Sequence, residues 1–200
     1  MANSPLILPP AALASSRRGF LSGSGKAVLS ASAVALIVGC ESMAQQSNSD
    51  PASDVKILNV ALGLEHEAIN AYQLGAESGF LQKPVLDTAV LFQSHHKEHR
   101  DALIATIRKL GGTPVAEKAK SEYATALNAG ALKNQTDVLK LAARLERGAA
   151  NAYLGVIPSF KDPGLAQVSG RLAADETMHW TALTGALAEN LPMKALTFGA

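Results

Sequence analysis

Six residues of this 200-residue sequence have the types and spacing to hold a metal ion: Glu65, His96, His99, Glu146, Glu176 and His179. Glu176 and His179 form a Glu-x-x-His step, and His96 and His99 repeat that spacing with histidine in the first place. Residues three apart on an α-helix share a face, so each pair can aim two donors at one point. Mixed carboxylate and imidazole ligation suits iron or manganese, with zinc possible and calcium not expected. Redox-active ions held this way activate oxygen or peroxide. The single cysteine, Cys40, excludes a Cys-based zinc site and an intramolecular disulfide. With 18 Lys+Arg against 17 Asp+Glu and no basic block, no nucleic-acid partner is expected.

Helices must position these residues. Hydrophobic residues make up 48% of the sequence and aromatics only 4%, which favours packed helices over a β-sandwich and excludes a largely disordered chain. The punctuation predicts four helices: Ser53 or Asp54 to about Ser78, Pro84 to Gly111-Gly112, Thr136-Asp137 to about Ile157-Pro158, and Asp162-Pro163 to a point before Pro192. The long crossover between the second and third carries one short helix near Ala119–Leu127. Inward seams stepping by three or four read Leu58, Leu62, Glu65, Ile69, Tyr72, Ala76, then Val85, Ala89, Phe92, His96, His99, Leu103, Leu110. The third reads Leu139, Ala142, Glu146, Ala149, Tyr153, Val156, and the fourth Leu165, Val168, Leu172, Glu176, His179, Leu183, Leu187. Each seam is apolar except at its middle.

The sequence also repeats itself. Leu64 to Tyr72 matches Leu145 to Tyr153 at an offset of 81, and His96 to Leu103 matches Glu176 to Leu183 at an offset of 80. Counting along the helices puts Glu65, His99, Glu146 and His179 at one level, about 24–27 Å from the hairpin turns. Three buried carboxylates on one axis repel one another unless a cation offsets them. No lysine or arginine falls on a seam near that level, so the sequence implies a metal. Glu67 and Glu77 read as solvated charges, His66 and His95 as surface residues or supports for the ligands, and Met178 and Trp180 as packing residues. Glu98 points about 100° off the seam.

The Glu-x6-Tyr and Glu-x-x-His signatures, in helix order one to four, resemble the ferritin-like superfamily, including rubrerythrin and bacterioferritin relatives. The resemblance covers about 140 residues and implies an all-α, ferritin-like four-helix bundle with one long crossover, built from two repeated hairpins. It implies Glu65 and Glu146 as terminal carboxylates, Glu176 as a bridging carboxylate, and His99 and His179 as imidazole ligands. Tyr72 and Tyr153 are then tyrosines that orient those ligands. His96 departs, standing where a second bridging glutamate belongs. A neutral imidazole offers one lone pair to metal, and three carboxylates neutralise less of a 4+ pair than four. The resemblance therefore implies either an altered dinuclear centre bridged by Glu176 and solvent or a single ion. Activity would be that of a ferroxidase, a rubrerythrin-type peroxidase without its rubredoxin module, or a catalase-like dimanganese protein. The contrasting expectation is a non-catalytic envelope or stress-related bundle with a degenerate site.

Residues 1–39 read as an export signal. Ser16-Arg17-Arg18-Gly19-Phe20-Leu21, Lys26 and the short apolar run Ala27–Gly39 resemble a twin-arginine (Tat) signal, which implies the Tat machinery as a partner and a periplasmic or envelope destination. An ordinary secretory signal with a fortuitous arginine pair is the alternative. Ile37-Val38-Gly39-Cys40 looks like a lipobox, making Cys40 a lipidated residue and membrane anchor; Ser42-Met43-Ala44 offers a competing cleavage site. Residues 40–53 read as a polar tether, 54–191 as the bundle and 192–200 as a tail. Removing residues 1–39 takes away three basic residues and no acid, leaving a net charge of −2 from 15 basic and 17 acidic residues.

Overall fold

The computed structural model describes residues 51–198. Arg17, Arg18, Cys40 and Ala44, on which the export and lipidation readings rest, lie outside the described residues. Five α-helices follow in order: α1 (Pro51–Glu77), α2 (Lys83–Lys109), α3 (Lys120–Ala126), α4 (Gln135–Val156) and α5 (Pro163–Ala186). Among the described residues there is no strand. The four long helices form two hairpins, α1 with α2 and α4 with α5, with α1 also packed on α4. The expected all-α bundle with one long crossover is the observed architecture.

The helix ends follow local chemistry. Pro163 sits in the first turn of α5, where its missing N–H is no loss, and the Asp162 side chain accepts the Gly164 N–H at 2.7 Å. Asn134 caps α4 by accepting from the Asp137 N–H, so this helix begins earlier than the expected Thr136. Helix α1 also starts earlier, at Pro51, within the stretch read as tether, because proline is well suited to a first turn. Helix α5 stops at Ala186 with Leu187 as its cap, several residues before Pro192. After α2, Gly111 takes φ +77°, which favours glycine. The next residue must also be glycine for space: a Cβ at Gly112 would lie 2.5 Å from Val55 Cγ1.

Two apolar clusters fill the bundle. One contains Leu58, Leu62, Leu103, Ile107, Leu165 and Leu172; the other contains Tyr72, Phe92, Leu139, Ala143, Trp180 and Leu183. Fully burying a leucine or isoleucine is worth about 1.5–3 kcal/mol, and Leu62 and Ile107 have no exposed surface. The six candidate ligands occupy the interval between these clusters along each helix. Several seam positions are rotated by one residue from the expected ones. Ala143 and Ala150 are buried while Ala142 and Ala149 are half-buried. Val168 faces out and Ser169 takes its place, donating to the Tyr153 carbonyl at 2.7 Å. A small residue there lets α4 and α5 approach, and its hydroxyl is satisfied by the neighbouring backbone. Met178, expected to pack, is exposed, whereas Trp180 is buried beneath Phe198 and the Arg147 guanidinium.

Candidate metal centre

All six sequence-derived candidates meet in the interior. Glu65, His96, Glu146, Glu176 and His179 are each 0–2% exposed, and His99 is 9% exposed. They form two overlapping groups, Glu65–His96–His99–Glu176 and His96–Glu146–Glu176–His179, each with ligand atoms within 4.8 Å of one another. Glu176 and His96 belong to both groups. Glu176 reaches both groups, with Oε2 3.2 Å from His179 Nδ1 and Oε1 3.3 Å from His99 Nδ1.

The two hairpins hold each other's carboxylates. The Tyr72 hydroxyl on α1 donates to Glu146 Oε1 on α4, and the Tyr153 hydroxyl on α4 donates to Glu65 Oε1 on α1. Each tyrosine therefore meets the carboxylate of the opposite hairpin and not the one on its own helix. Burial, reinforced by Glu146 and Glu65 respectively, pushes both phenols well above their usual pKa of 10, so they remain donors.

His96 corrects one inference from the sequence. Its Nδ1 lies 2.8 Å from Glu65 Oε2 and its Nε2 3.1 Å from Glu146 Oε1, so one imidazole spans both terminal carboxylates. The chain does supply an internal counter-ion, which a search for lysine and arginine alone overlooks. Burial alone would lower the His96 pKa; the bonds to Glu146 and Glu65 outweigh it and hold the pKa at about 11. Burial likewise opposes charge on His99, yet Glu176 and Glu65 hold it at about 10. His179 is also raised, by Glu146 and Glu176 against its burial. Burial raises carboxyl pKa values, but the histidines outweigh it at Glu65 and Glu146, which are both held low. At Glu176 burial wins and the pKa is raised. With all three histidines protonated, the three imidazoliums balance the three carboxylates.

The cluster is nonetheless incompletely satisfied. Glu176 Oε1 and His99 Nδ1 are buried and face each other at 3.3 Å, yet neither makes a hydrogen bond of good geometry. Both belong to the group on the Glu65 side, and a cation that displaced the His99 proton would find a carboxylate oxygen and an imidazole nitrogen there as donors.

Two flanking residues complete the arrangement. Asp175 Oδ2 lies 3.2 Å from His99 Nε2, and His95 Nδ1 lies 2.9 Å from His179 Nε2. Each leaves the Nδ1 of its imidazole turned toward the carboxylates, as outer partners of metal-bound histidines do. Asp175 goes unnoticed from spacing alone, although the repeat signals it: position 175 is the counterpart of 95 at the offset of 80. The pair Asp175-Glu176 on α5 thus corresponds to His95-His96 on α2. His66 is buried instead of at the surface. Its Nε2 contacts the Val115 carbonyl at 3.3 Å, while Asn59 and Asn70 bond Thr113, Val115 and Glu117. These three α1 residues fasten the start of the crossover along the helix, which accounts for the burial. Glu77 is exposed as expected and pairs with Lys120, whereas Glu67 is half-buried.

An all-α bundle with carboxylates and histidines converging at its middle is the architecture of ferritin-like proteins. The model of the family described as "Ferritin-like domain" matches residues 53–189, and the chain belongs to this family. A solved structure, a conserved hypothetical protein, rv2844, from Mycobacterium tuberculosis, matches with a TM-score of 0.59 at 20% identity. The match covers 72% of this chain and 96% of that one, and at this identity it speaks for the fold alone. No curated protein matches the sequence significantly.

Proposed function

We propose that this protein is an exported metalloprotein that binds iron or manganese through Glu65, His96, His99, Glu146, Glu176 and His179. The observation that carries the reading is the buried pair of overlapping ligand groups, in which Glu176 Oε1 and His99 Nδ1 make no hydrogen bond of good geometry. The donor set, carboxylate oxygen with imidazole nitrogen, favours these ions, with zinc the remaining candidate. A redox-active ion bound there would supply oxidoreductase chemistry toward Fe(II), oxygen or peroxide. The chain's own residues hold the carboxylates through Tyr72 and Tyr153, orient the imidazoles through Asp175 and His95, and exclude bulk water by burial. Export through the Tat machinery to the periplasm or envelope, with Cys40 as a lipid anchor, is supported by the residue pattern around Arg17-Arg18 and Cys40.

One observation favours a second reading. Because His96 bonds both Glu65 and Glu146, it can stand in for a cation, and the bundle would then be a non-catalytic module with a degenerate site. Measuring iron, manganese and zinc per purified chain separates the two. Near-stoichiometric metal, lost in Glu146→Ala and Glu176→Ala, supports the first reading. Folded, metal-free protein that takes up none of the three ions on addition supports the second. Oxygen consumption after Fe(II) loading tests the oxidoreductase assignment.

A further inference from the structure

A cleft of about 300 Å³ reaches the centre from one side. It is bordered by α1 and α4 and includes Tyr72, His96 and Glu146 in its lining, all three buried. The rest of the wall is mostly apolar, with Leu81, Val85, Leu132, Leu139, Leu145 and Leu183 its larger members, and Glu67 and Thr88 its other polar ones. Small residues leave the space: Ala68 and Ala71 on α1 face the cleft, as do Ala142 and Ala149 on α4. The two helices are not held apart, because a Cβ at Gly75 of α1 would lie 3.0 Å from Val138 Cγ1 of α4.

The dimensions select the occupant. Pro84 and His96 both line the cleft, and their separation on α2 spans about 18 Å along the axis. A cleft of that length walled mainly by apolar side chains suits one extended alkyl chain. A cavity of about 150 Å³ holds benzene, so twice that volume holds about ten to twelve aliphatic carbons. Three of the five polar lining residues, Tyr72, His96 and Glu146, gather at one end, and a ligand with a single polar end matches that asymmetry.

We propose that this cleft binds an unbranched aliphatic chain of about ten to twelve carbons, with its one oxygen-bearing head at Tyr72, His96 and Glu146. Neither the chain nor its head needs the metal reading above. At the polar end the Tyr72 hydroxyl, the His96 imidazole and the Glu146 carboxylate offer donors and acceptors to a neutral head.

The test is calorimetric titration of the full chain with 1-hexanol, 1-octanol, 1-decanol, 1-dodecanol and 1-tetradecanol, metal-free and loaded with Mn(II), with metal content measured on the same samples. Affinity should rise about fifteen-fold per two-carbon step, about fourfold per methylene, and stop rising beyond twelve carbons. Ala142→Leu, which places added carbons in the bore, should weaken decanol binding at least tenfold with metal content unchanged. Ala68→Leu provides the same test should Ala142→Leu fail to fold. 5-Decanol, the isomer with its hydroxyl at mid-chain, should bind at least tenfold more weakly than 1-decanol, because its hydroxyl is left against apolar wall. Absence of saturable alkanol binding in metal-loaded protein overturns the cleft assignment and leaves the metal reading standing. Alkanol binding without metal uptake does the reverse. 5-Decanol that binds as tightly as 1-decanol overturns the head placement. Sedimentation showing a dimer that dissociates on adding decanol, or that excludes it, assigns the cleft to a second copy and overturns the proposal.

Discussion

Replacing His96 by glutamate removes the imidazole that spans Glu65 and Glu146 and adds a fourth carboxylate to a nearly solvent-free cluster. The lost contacts are 2.8 and 3.1 Å long, between side chains only 1–2% exposed. Breaking a buried ionic pair from one side costs about 3–5 kcal/mol, because the remaining charges are left uncompensated. In a domain of about 150 residues each kcal/mol shifts the melting temperature by about 2–4 °C, so a fall of about 10–15 °C is expected. The assay is thermal melting by circular dichroism of metal-stripped wild type, His96→Gln and His96→Glu, repeated after Mn(II) addition with metal content measured. Metal-free stability should fall in that order, since glutamine removes a charge and glutamate also adds one. With Mn(II) the glutamate variant should recover and hold more metal per chain than wild type, because four carboxylates neutralise a pair of divalent ions. A metal-free His96→Glu protein that melts within about 2 °C of wild type, a difference worth no more than about 1 kcal/mol, refutes the counter-ion role. A variant that gains no metal refutes the reading of position 96 as a displaced bridging ligand.

Three further outcomes are expected. In metal-free protein, the raised pKa values of His96 and His99 give stability that is complete below about pH 6.5 and lost as pH climbs through about 10–11. The lowered pKa values of Glu65 and Glu146 give stability present above about pH 4.5 and lost on acidification, while the raised Glu176 opposes them. Urea midpoints should therefore peak between about pH 4.5 and 6.5, and metal uptake should release protons and tighten with rising pH. Tyr72→Phe and Tyr153→Phe each remove a donor to a buried carboxylate, and urea denaturation should show losses of about 1.5–3 kcal/mol. Asp175→Asn should weaken metal binding about 10–100-fold in competition with a chelator. It should hardly change the melting temperature, because its side chain is 42% exposed.

Much of the bundle is legible in the residue order because helix chemistry is local. Asp162-Pro163 marks a start, Gly111 a stop, and the short helix of the crossover lies at Lys120–Ala126, inside the interval read from the sequence. Three-residue spacing on helices of matched length suffices to bring Glu65, His99, Glu146 and His179 to one level. Facing is less legible. A seam written in steps of three or four tolerates a shift of one residue, about 100°, when only alanines mark it, and so Ala142 and Ala143 exchange places. Val168 gives way to Ser169 because a hydroxyl paired with a carbonyl can be buried as readily as a side chain that has no polar group to satisfy.

The order of residues by itself determined the class of fold, the internal duplication and the six side chains that converge, since all three depend on periodicity along single helices. Only the tertiary structure decided what those side chains do to one another. Tyr72 serves Glu146 and Tyr153 serves Glu65, His96 reaches two carboxylates at once, and Asp175 and His95 turn the neighbouring imidazoles. Each of those contacts joins different helices, and the distance between atoms on different rods is set by packing, which no spacing along one rod contains.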